Sequence, residues 1–167
     1  IQLYQEIINY SSEYTELITK ILIDKCNDYM DTISSNNSSD SKEVVNYDFI
    51  CEIIEKKKYI YGYSMFIVEL FNKNIIKFSL LKIFIDKLFI NILEKRGKSE
   101  YEIFIELNIE CIFIILTKIN NTLIDEENKR EIIKYFECLQ EYKEKTKISS
   151  KIKFKIMDII DVLKVFS

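Results

Sequence analysis

The feature that most limits the fold of this 167-residue chain is its lack of proline, together with the presence of only two glycines, Gly62 and Gly97. The tight turns of β-hairpins and the loops that bind phosphate depend on glycine, so neither a GxGxxG motif nor a P-loop is present. Histidine is also absent, and it is the commonest general base and a frequent zinc ligand. The sequence therefore argues against an ordinary hydrolase or metalloenzyme. We expect no enzymatic activity, no cofactor and no metal.

The balance of apolar and charged residues indicates one globular domain over residues 1–167. Hydrophobic residues make up 48% of the chain and charged residues 31%, which differs from the composition of a disordered protein. No signal peptide is apparent at the start, and no uncharged run approaches the roughly 18 residues of a membrane-spanning helix. We therefore expect a soluble, cytoplasmic protein that does not act in a membrane.

The four cysteines, Cys26, Cys51, Cys111 and Cys138, are far apart in the sequence. Two disulfides are possible in principle, but the spacing contains no CxxC pair and is unlike that of a small secreted framework. We expect reduced thiols that are buried in helix faces, where cysteine acts as a small apolar group.

Apolar residues recur at helical spacing along most of the chain. The polar stretch Ser34–Lys42 interrupts this pattern and predicts an exposed, mobile loop. Gly97 is expected to cap the C-terminal end of one helix. The predicted helices cover residues 13–33, 43–57, 59–74, 80–95, about 99–121, 125–145 and a last segment that begins after Ser149.

Helices of about 15 to 20 residues joined by short loops, without a strand signal, indicate an all-α fold. The pattern fits successive antiparallel hairpins of roughly 40 to 45 residues better than one symmetric four-helix bundle. Hairpins of this size are typical of HEAT repeats, which stack into extended arrays. We therefore predict HEAT-like hairpins stacked in a crescent, an α-solenoid.

The stretch "KISSKIKFKIMDIID", from Lys147 to Asp161, has two conflicting patterns. From Lys151 to Ile156 charged and apolar residues alternate strictly, as in a half-buried strand. A helix that begins after Ser149 instead places five apolar residues on one stripe, with Lys153 and Phe154 at its edges, and a serine supplies the N-cap. The alternation ends at "MDIIDVL", so we predict a helix. The stripe consists of Ile152, Ile156, Ile159, Ile160 and Leu163.

Five blocks of the sequence, in order, resemble one known domain, the middle domain of translation initiation factor 4 gamma. The last block, "KISSKIKFKIMDIIDVLK", resembles the family's closing pattern I-S-S-R-I-(R/K)-F, with Lys151 in the place of the family's arginine. The second block matches the family's G-N-I-R-F-I-G-E-L-F at Gly62 and Glu69, among other positions. The first four blocks are "ITKILIDKCNDYMD", "YGYSMFIVELFNKNII", "IECIFIILTKINNTLID" and "IIKYFECLQEY".

The sequence also departs from this family at several positions. Met65 stands in the place of the family's arginine, Val68 in the place of its second glycine, and Asn120 in the place of a third glycine. The family domain has about two further helices, one HEAT unit, before the region that matches the start of this chain. The resemblance therefore implies a domain that lacks the first repeat. The chain's 33 Ile and 22 Lys, against two Arg, are typical of an A/T-rich genome and suggest a divergent eukaryote.

The resemblance implies a scaffold that binds and stimulates the DEAD-box RNA helicase of the cap-binding complex and contributes to binding of RNA and other initiation factors. Two alternatives remain open. One is a HEAT-type interaction adaptor without a helicase partner, and the other is a nuclear RNA-processing relative of the same domain family.

A basic segment lies near the C-terminal end of an acidic chain. Residues 143–155 contain six Lys and one Glu, a local charge of +5, whereas the chain has a net charge of −3. This segment is either a surface for RNA phosphates or an acidic partner, or a solvated helix end. Tyr59, Tyr61 and Tyr63 similarly either stack on bases or pack between helices.

We predict a helicase- or RNA-binding surface on loops and helix starts along one edge of the domain. Glu69 belongs to it as a partner-facing charge, unless its carboxylate caps a neighbouring helix. The complete set of predicted surface residues is Glu69, Asn72, Lys73, Asn74, Lys147, Ser149, Ser150, Lys151, Lys153 and Lys155.

Overall fold

A computed structural model of the chain describes residue 14, residues 17–25, residue 28, and residues 47–98, 101–145 and 148–164. The predicted loop Ser34–Lys42, Cys26 and Lys147 lie outside these residues. Throughout the described part the regular structure is helical, without a strand, so the all-α prediction is confirmed. Residues 17–25 are helical and are followed by α1 (Tyr47–Asn72), α2 (Phe78–Glu94), α3 (Glu102–Lys118), a 3₁₀ turn (Asn121–Leu123), α4 (Glu126–Lys145) and α5 (Ser150–Leu163).

Helix α1 is one continuous helix of 26 residues, where two helices, 43–57 and 59–74, were predicted. Gly62 lies inside it and has open space where a Cβ would be. A single glycine costs a helix about 1 kcal/mol, and the chain has no proline to stop it. Ile60 and Ser64, on either side of Gly62, are fully buried, and the Ser64 hydroxyl donates to the Ile60 carbonyl at 2.9 Å. Packing of this face therefore carries the helix through the glycine.

The end of α1 is set by Asn74, which has a φ of 56°. The Ile75 amide donates to the Leu70 carbonyl at 2.8 Å, and the Asn74 amide donates to the Phe71 carbonyl at 2.8 Å. This pair of bonds is the Schellman arrangement, in which asparagine replaces the usual glycine in the left-handed position. The chain turns sharply here, and the Phe71 ring packs edge-on against Phe78 at the start of α2, with 5.9 Å between ring centroids.

Helices α1 to α5 form two layers. Helices α1, α3 and α5 lie side by side in one layer, while α2 packs on α3 and α4 packs on α5. Two successive turns of α5 contact two successive turns of α3 in ascending order, through Lys151 with Glu106 and Lys155 with Glu110, so α3 and α5 run in the same direction. We call the layer of α1, α3 and α5 the inner layer and that of α2 and α4 the outer layer. A short connection joins α2 to α3, and another joins α4 to α5.

Helix α3 is the centre of the core because it contacts α1, α2 and α5. Such a helix must be apolar around most of its circumference, and ten of its 17 residues are buried. Its buried Asn108 accepts a hydrogen bond from Asn91 of α2 at 3.1 Å and donates to the Phe104 carbonyl at 2.7 Å. The buried polar groups at this contact are thereby paired, as buried amides require.

The cysteine prediction is correct at one position and wrong at two. Cys111 is buried in α3, whereas Cys51 and Cys138 are exposed, and none of these three described cysteines forms a disulfide. The reason is that α1 and α4 each have a solvent-facing side, which helical spacing alone does not assign to particular residues. In the described helices, none is both long and apolar enough to span a lipid bilayer.

Candidate partner-binding surface

The start of α5 confirms that the segment of alternating charged and apolar residues is a helix. Ser149 is the N-cap, with extended backbone angles, and its hydroxyl accepts a hydrogen bond from the Ile152 amide at 3.5 Å. All five residues of the predicted apolar stripe are buried. Phe154 is not at the edge of this stripe as predicted, because its side chain is 65% exposed. The stripe, and not the alternation, decides which face of α5 meets the core.

Two of the predicted surface lysines are paired with glutamates of α3. The Lys151 ammonium lies 2.6 Å from a carboxylate oxygen of Glu106, and the Lys155 ammonium contacts Glu110. The hydrogen bond to Glu106 is the largest cause of the raised pKa of Lys151. Both pairs are spaced by one helical turn, so they form a ladder of charges between the two helices.

The two side chains of the Lys151–Glu106 pair differ in burial. The Glu106 side chain is only 11% exposed, while the Lys151 side chain is 65% exposed. A buried carboxylate without a positive partner is costly, so Lys151 stabilises the packing of α5 on α3. Lys151 and Lys155 therefore have a structural role, and two of the positive charges counted in residues 143–155 are balanced within the domain.

The other predicted residues at the start of α5 are more accessible. Lys153 is exposed and has no carboxylate partner among the described residues, and Ser150 is exposed as the first residue of α5. Ser149 is half-buried because its side chain caps the helix. Lys147 lies outside the described residues.

At the end of α1, Asn72 joins two helices. Its side-chain amide donates to the Lys118 carbonyl at 2.8 Å, and its side-chain oxygen accepts from the Asn120 amide at 2.8 Å. Both polar atoms of Asn72 are thus used to hold the C-terminal ends of α1 and α3 together. Lys73 and Asn74 are exposed beside it.

Glu69 is half-buried in the last turns of α1. Its carbonyl accepts from the Lys73 amide at 3.0 Å and so belongs to the end of that helix.

The predicted surface divides into two groups at opposite ends of α3. Asn72 bonds to Lys118, the last residue of α3, whereas Lys151 contacts Glu106 in its second turn. Lys118 lies twelve positions after Glu106 in the helix, a distance of about 18 Å at 1.5 Å per residue. The two groups therefore do not form the single edge that was predicted.

The three neighbouring tyrosines differ in exposure. Tyr61 and Tyr63 pack against the core, which supports the packing interpretation for both. Tyr59 is 48% exposed, and its hydroxyl donates to Glu55 at 3.5 Å. Two of these three tyrosines therefore contribute to core packing.

The structure also contains a polar contact between α2 and α4 that the sequence patterns did not indicate. The Tyr135 hydroxyl donates to Asp86, which also accepts from Lys82 at 2.7 Å. The Tyr135 ring stacks on Phe89, with 4.4 Å between centroids. Burial, the largest cause, and the bond to Asp86 raise the pKa of Tyr135. A tyrosine in an amphipathic helix carries no signal that its partner lies 49 residues away.

The described residues contain no group of three or more cysteine, aspartate or glutamate side chains placed to hold a metal ion. Comparison of the chain with family models, with curated proteins and with solved structures finds no match. The likeness to the initiation-factor domain therefore rests on the five sequence blocks.

Proposed function

We propose that this chain is a HEAT-type scaffold domain that binds the DEAD-box RNA helicase of translation initiation and stimulates it, with an auxiliary contribution to RNA binding. The helicase and the RNA are inferred as partners from the sequence resemblance. The structural observation that carries the proposal is the repeated packing of helices, with α1, α3 and α5 side by side, α2 packed on α3 and α4 packed on α5.

Repeated packing of this kind suits a scaffold. In stacked hairpins each unit contacts mainly its neighbours, so the array forms a long and rigid surface. The contacts of α3 with α1 through Asn72 and with α5 through Lys151 hold the inner layer at both ends. A rigid array of this form can contact two lobes of a partner at once and hold them at a set distance.

The proposed mechanism requires no chemistry from the scaffold. A helicase of two lobes exchanges between open and closed arrangements. A scaffold that binds the closed arrangement more tightly shifts the population towards it, by no more than the difference between the two affinities. We expect the two separated groups of residues to contact different lobes, with Lys73 and Asn74 in one group and Ser150 and Lys153 in the other.

The test is the RNA-dependent ATPase rate of the initiation helicase from the same organism, with and without this domain. The domain should raise the rate, and Lys73→Glu and Lys153→Glu should each weaken helicase binding about threefold to tenfold by reversing an exposed charge. Lys77→Glu, an exposed lysine outside both groups, is the matched control. If the ATPase rate is unchanged and the domain does not bind the helicase, the alternative of a HEAT-type adaptor without a helicase partner is favoured.

The auxiliary RNA contact has a separate test. Binding of a single-stranded RNA of mixed sequence should weaken steeply as salt is raised, because phosphate contacts release counterions. Lys153→Gln should reduce this affinity, whereas Lys151→Gln should reduce it less, since the Lys151 charge is already balanced by Glu106. A larger loss for Lys151→Gln in a folded protein would contradict this assignment.

A further inference from the structure

The inner layer has an open face on the side away from α2 and α4. Helix α3 contacts α1, α2 and α5 on its other sides, so its exposed residues lie on this face. Phe113 is one of them and is 37% exposed. It follows Glu110 by three residues and Glu106 by seven, so it lies on the same side of α3 as the charge ladder to α5. Phe113 and the ladder therefore share the open face.

Met65 of α1 borders the open face at nearly the height of Phe113. Met65 is 46% exposed and precedes Asn72 by seven residues, so both lie on one side of α1. The bond from Asn72 to the Lys118 carbonyl places this side next to α3 and brings the ends of the two helices together. Because Met65 is seven residues before this bond and Phe113 is five, their heights differ by about 3 Å at 1.5 Å per residue.

Phe154 of α5 borders the open face on the other side of α3. It is 65% exposed and follows Lys151 by three residues, and residues at this spacing are neighbours on a helix surface. Lys155, the next residue, contacts Glu110. Since α3 and α5 run in the same direction, Phe154 lies about 6 Å from Phe113 along the helix axis.

Three exposed apolar residues, one from each inner helix, thus lie in a row across the open face. We call Met65, Phe113 and Phe154 the apolar row. Packed neighbouring helices are roughly 8 to 10 Å apart, so the row is about 16 to 20 Å long. Gly62, three residues before Met65, has open space where a Cβ would be, which leaves room beside the row. Single exposed apolar residues are normal on a protein surface, whereas an aligned set favours an interaction site.

One long side of the apolar row is acidic. Glu69 of α1 and Asp158 of α5 each lie four residues after the row residue of their helix, towards the C-terminal ends. Neither carboxylate forms an ion pair with a described residue, including Lys118 at the end of α3. Thr117, at the same position on α3, is neutral, and its hydroxyl donates to the Phe113 carbonyl at 2.7 Å. A partner with positive charge along one edge therefore complements this face.

An amphipathic helix is the kind of partner that fits the open face. The inner helices use their backbone groups within themselves, so they offer no strand edge with which an extended peptide could pair. A partner helix satisfies its own backbone groups and presents apolar side chains along one face. At a rise of 1.5 Å per residue, about 11 to 13 residues of helix span the apolar row.

We propose that the open face binds an amphipathic helix of a partner protein. The apolar face of that helix packs on Met65, Phe113 and Phe154, and its lysine or arginine side chains lie next to Glu69 and Asp158. The site contains none of the lysines assigned to helicase or RNA binding, and its test needs neither partner. The inference is therefore independent of the proposed function.

The test is the fluorescence anisotropy of a labelled synthetic helix mixed with the full chain. The peptide has about 16 residues, with leucine along one face, lysine along one edge of that face, and alanine and glutamine elsewhere. A second peptide has glutamate in place of lysine, and a third has glutamine in place of leucine. We expect saturable binding of the lysine peptide, about tenfold tighter than that of the glutamate peptide because attraction to two acids becomes repulsion. The third peptide should not bind saturably.

Substitutions in the apolar row locate the site. Phe154→Gln and Met65→Gln should each weaken binding of the lysine peptide about tenfold, because a few anchor residues carry most of the binding energy of an interface. Ile83→Gln is the matched control and should leave the affinity unchanged, since Ile83 is comparably exposed but lies on α2 in the outer layer. Each affinity is measured well below the melting temperature of its variant.

The acidic side of the row has its own variant. Asp158→Asn should weaken binding of the lysine peptide about threefold and strengthen binding of the glutamate peptide. Glu127→Gln, which replaces an exposed acid of α4, should change neither affinity.

Any of three results would overturn the proposal. These are a lysine peptide that does not bind saturably, equal affinities for the lysine and glutamate peptides, or losses in Phe154→Gln and Met65→Gln no larger than the loss in Ile83→Gln.

Discussion

Lys151 lies with its ammonium 2.6 Å from the carboxylate of Glu106, which joins the first turn of α5 to a buried acid of the central helix. The two residues are 45 positions apart in the sequence. The contact explains how a basic segment ends against the core of an acidic chain. It also separates the structural lysines of α5 from those available to a partner.

Replacing Lys151 by glutamine should destabilise the domain. The Glu106 carboxylate would keep its burial and lose its positive partner, at a cost of about 1 to 2 kcal/mol, below the value for a fully buried pair because Lys151 is largely exposed. Urea denaturation measures the change. The matched control, Lys153→Gln, should change stability by less than about 0.5 kcal/mol. Equal effects of the two substitutions would show that the contact has no structural role.

The contribution of Lys151 should depend on pH in a defined direction. Its pKa is raised above its ordinary value of 10.5, chiefly by the hydrogen bond to Glu106. A group whose pKa is higher in the folded chain stabilises the fold fully below its unfolded pKa, and this stabilisation is lost as the pH rises through the folded pKa.

The difference in unfolding free energy between the wild type and Lys151→Gln should therefore be constant from pH 7 to about pH 9 and shrink above about pH 10.5. The other lysines and the tyrosines titrate in both proteins, so they cancel in this difference. A difference that grows with rising pH would contradict the assignment.

The two glycines should respond oppositely to alanine. Gly62→Ala should stabilise the protein by about 0.5 to 1 kcal/mol, because Gly62 lies inside α1 with open space around its Cα. Gly97→Ala should destabilise it by about 1 kcal/mol, because the φ of Gly97 is 77° and an alanine is strained there. Thermal unfolding of the two variants checks both signs. A loss of stability in Gly62→Ala would indicate that α1 is interrupted near this residue.

Asn72→Ala should loosen the joint between α1 and α3. It removes hydrogen bonds to the Lys118 carbonyl and the Asn120 amide, and each is worth about 1 kcal/mol in a partly exposed site. Hydrogen exchange should accelerate at the amide of Asn120 in particular. Lys73→Ala, at the exposed neighbouring position, is the control and should leave that amide unchanged. Protection that is equal in both variants would exclude the bridging role of Asn72.

The sequence alone was sufficient to predict the helices with strong local signals. Ser149 and the five-residue stripe after it predict α5 and its buried face, because an N-cap and the helical period are both properties of neighbouring residues. The helices near residues 80–95 and 125–145 were predicted from local patterns too, and their ends agree within two residues.

Other features were decided only when the helices packed. Whether one helix or two cover residues 47–72 depends on the burial of side chains such as Ile60 and Ser64 against the core, and helical spacing alone leaves that question open. The exposure of Cys51 and Cys138 depends likewise on which side of α1 and α4 faces solvent. Both outcomes are determined by the contacts between helices.

The lysines of α5 show most clearly which properties the sequence determines and which the packing of the helices decides. From the sequence, Lys151, Lys153 and Lys155 are equivalent members of one basic segment. In the fold, the first and last of them contact Glu106 and Glu110, while Lys153 is exposed and forms no ion pair among the described residues. The helical period determines that Lys151 and Lys155 share a face, but the parallel packing of α3 and α5 decides what that face meets.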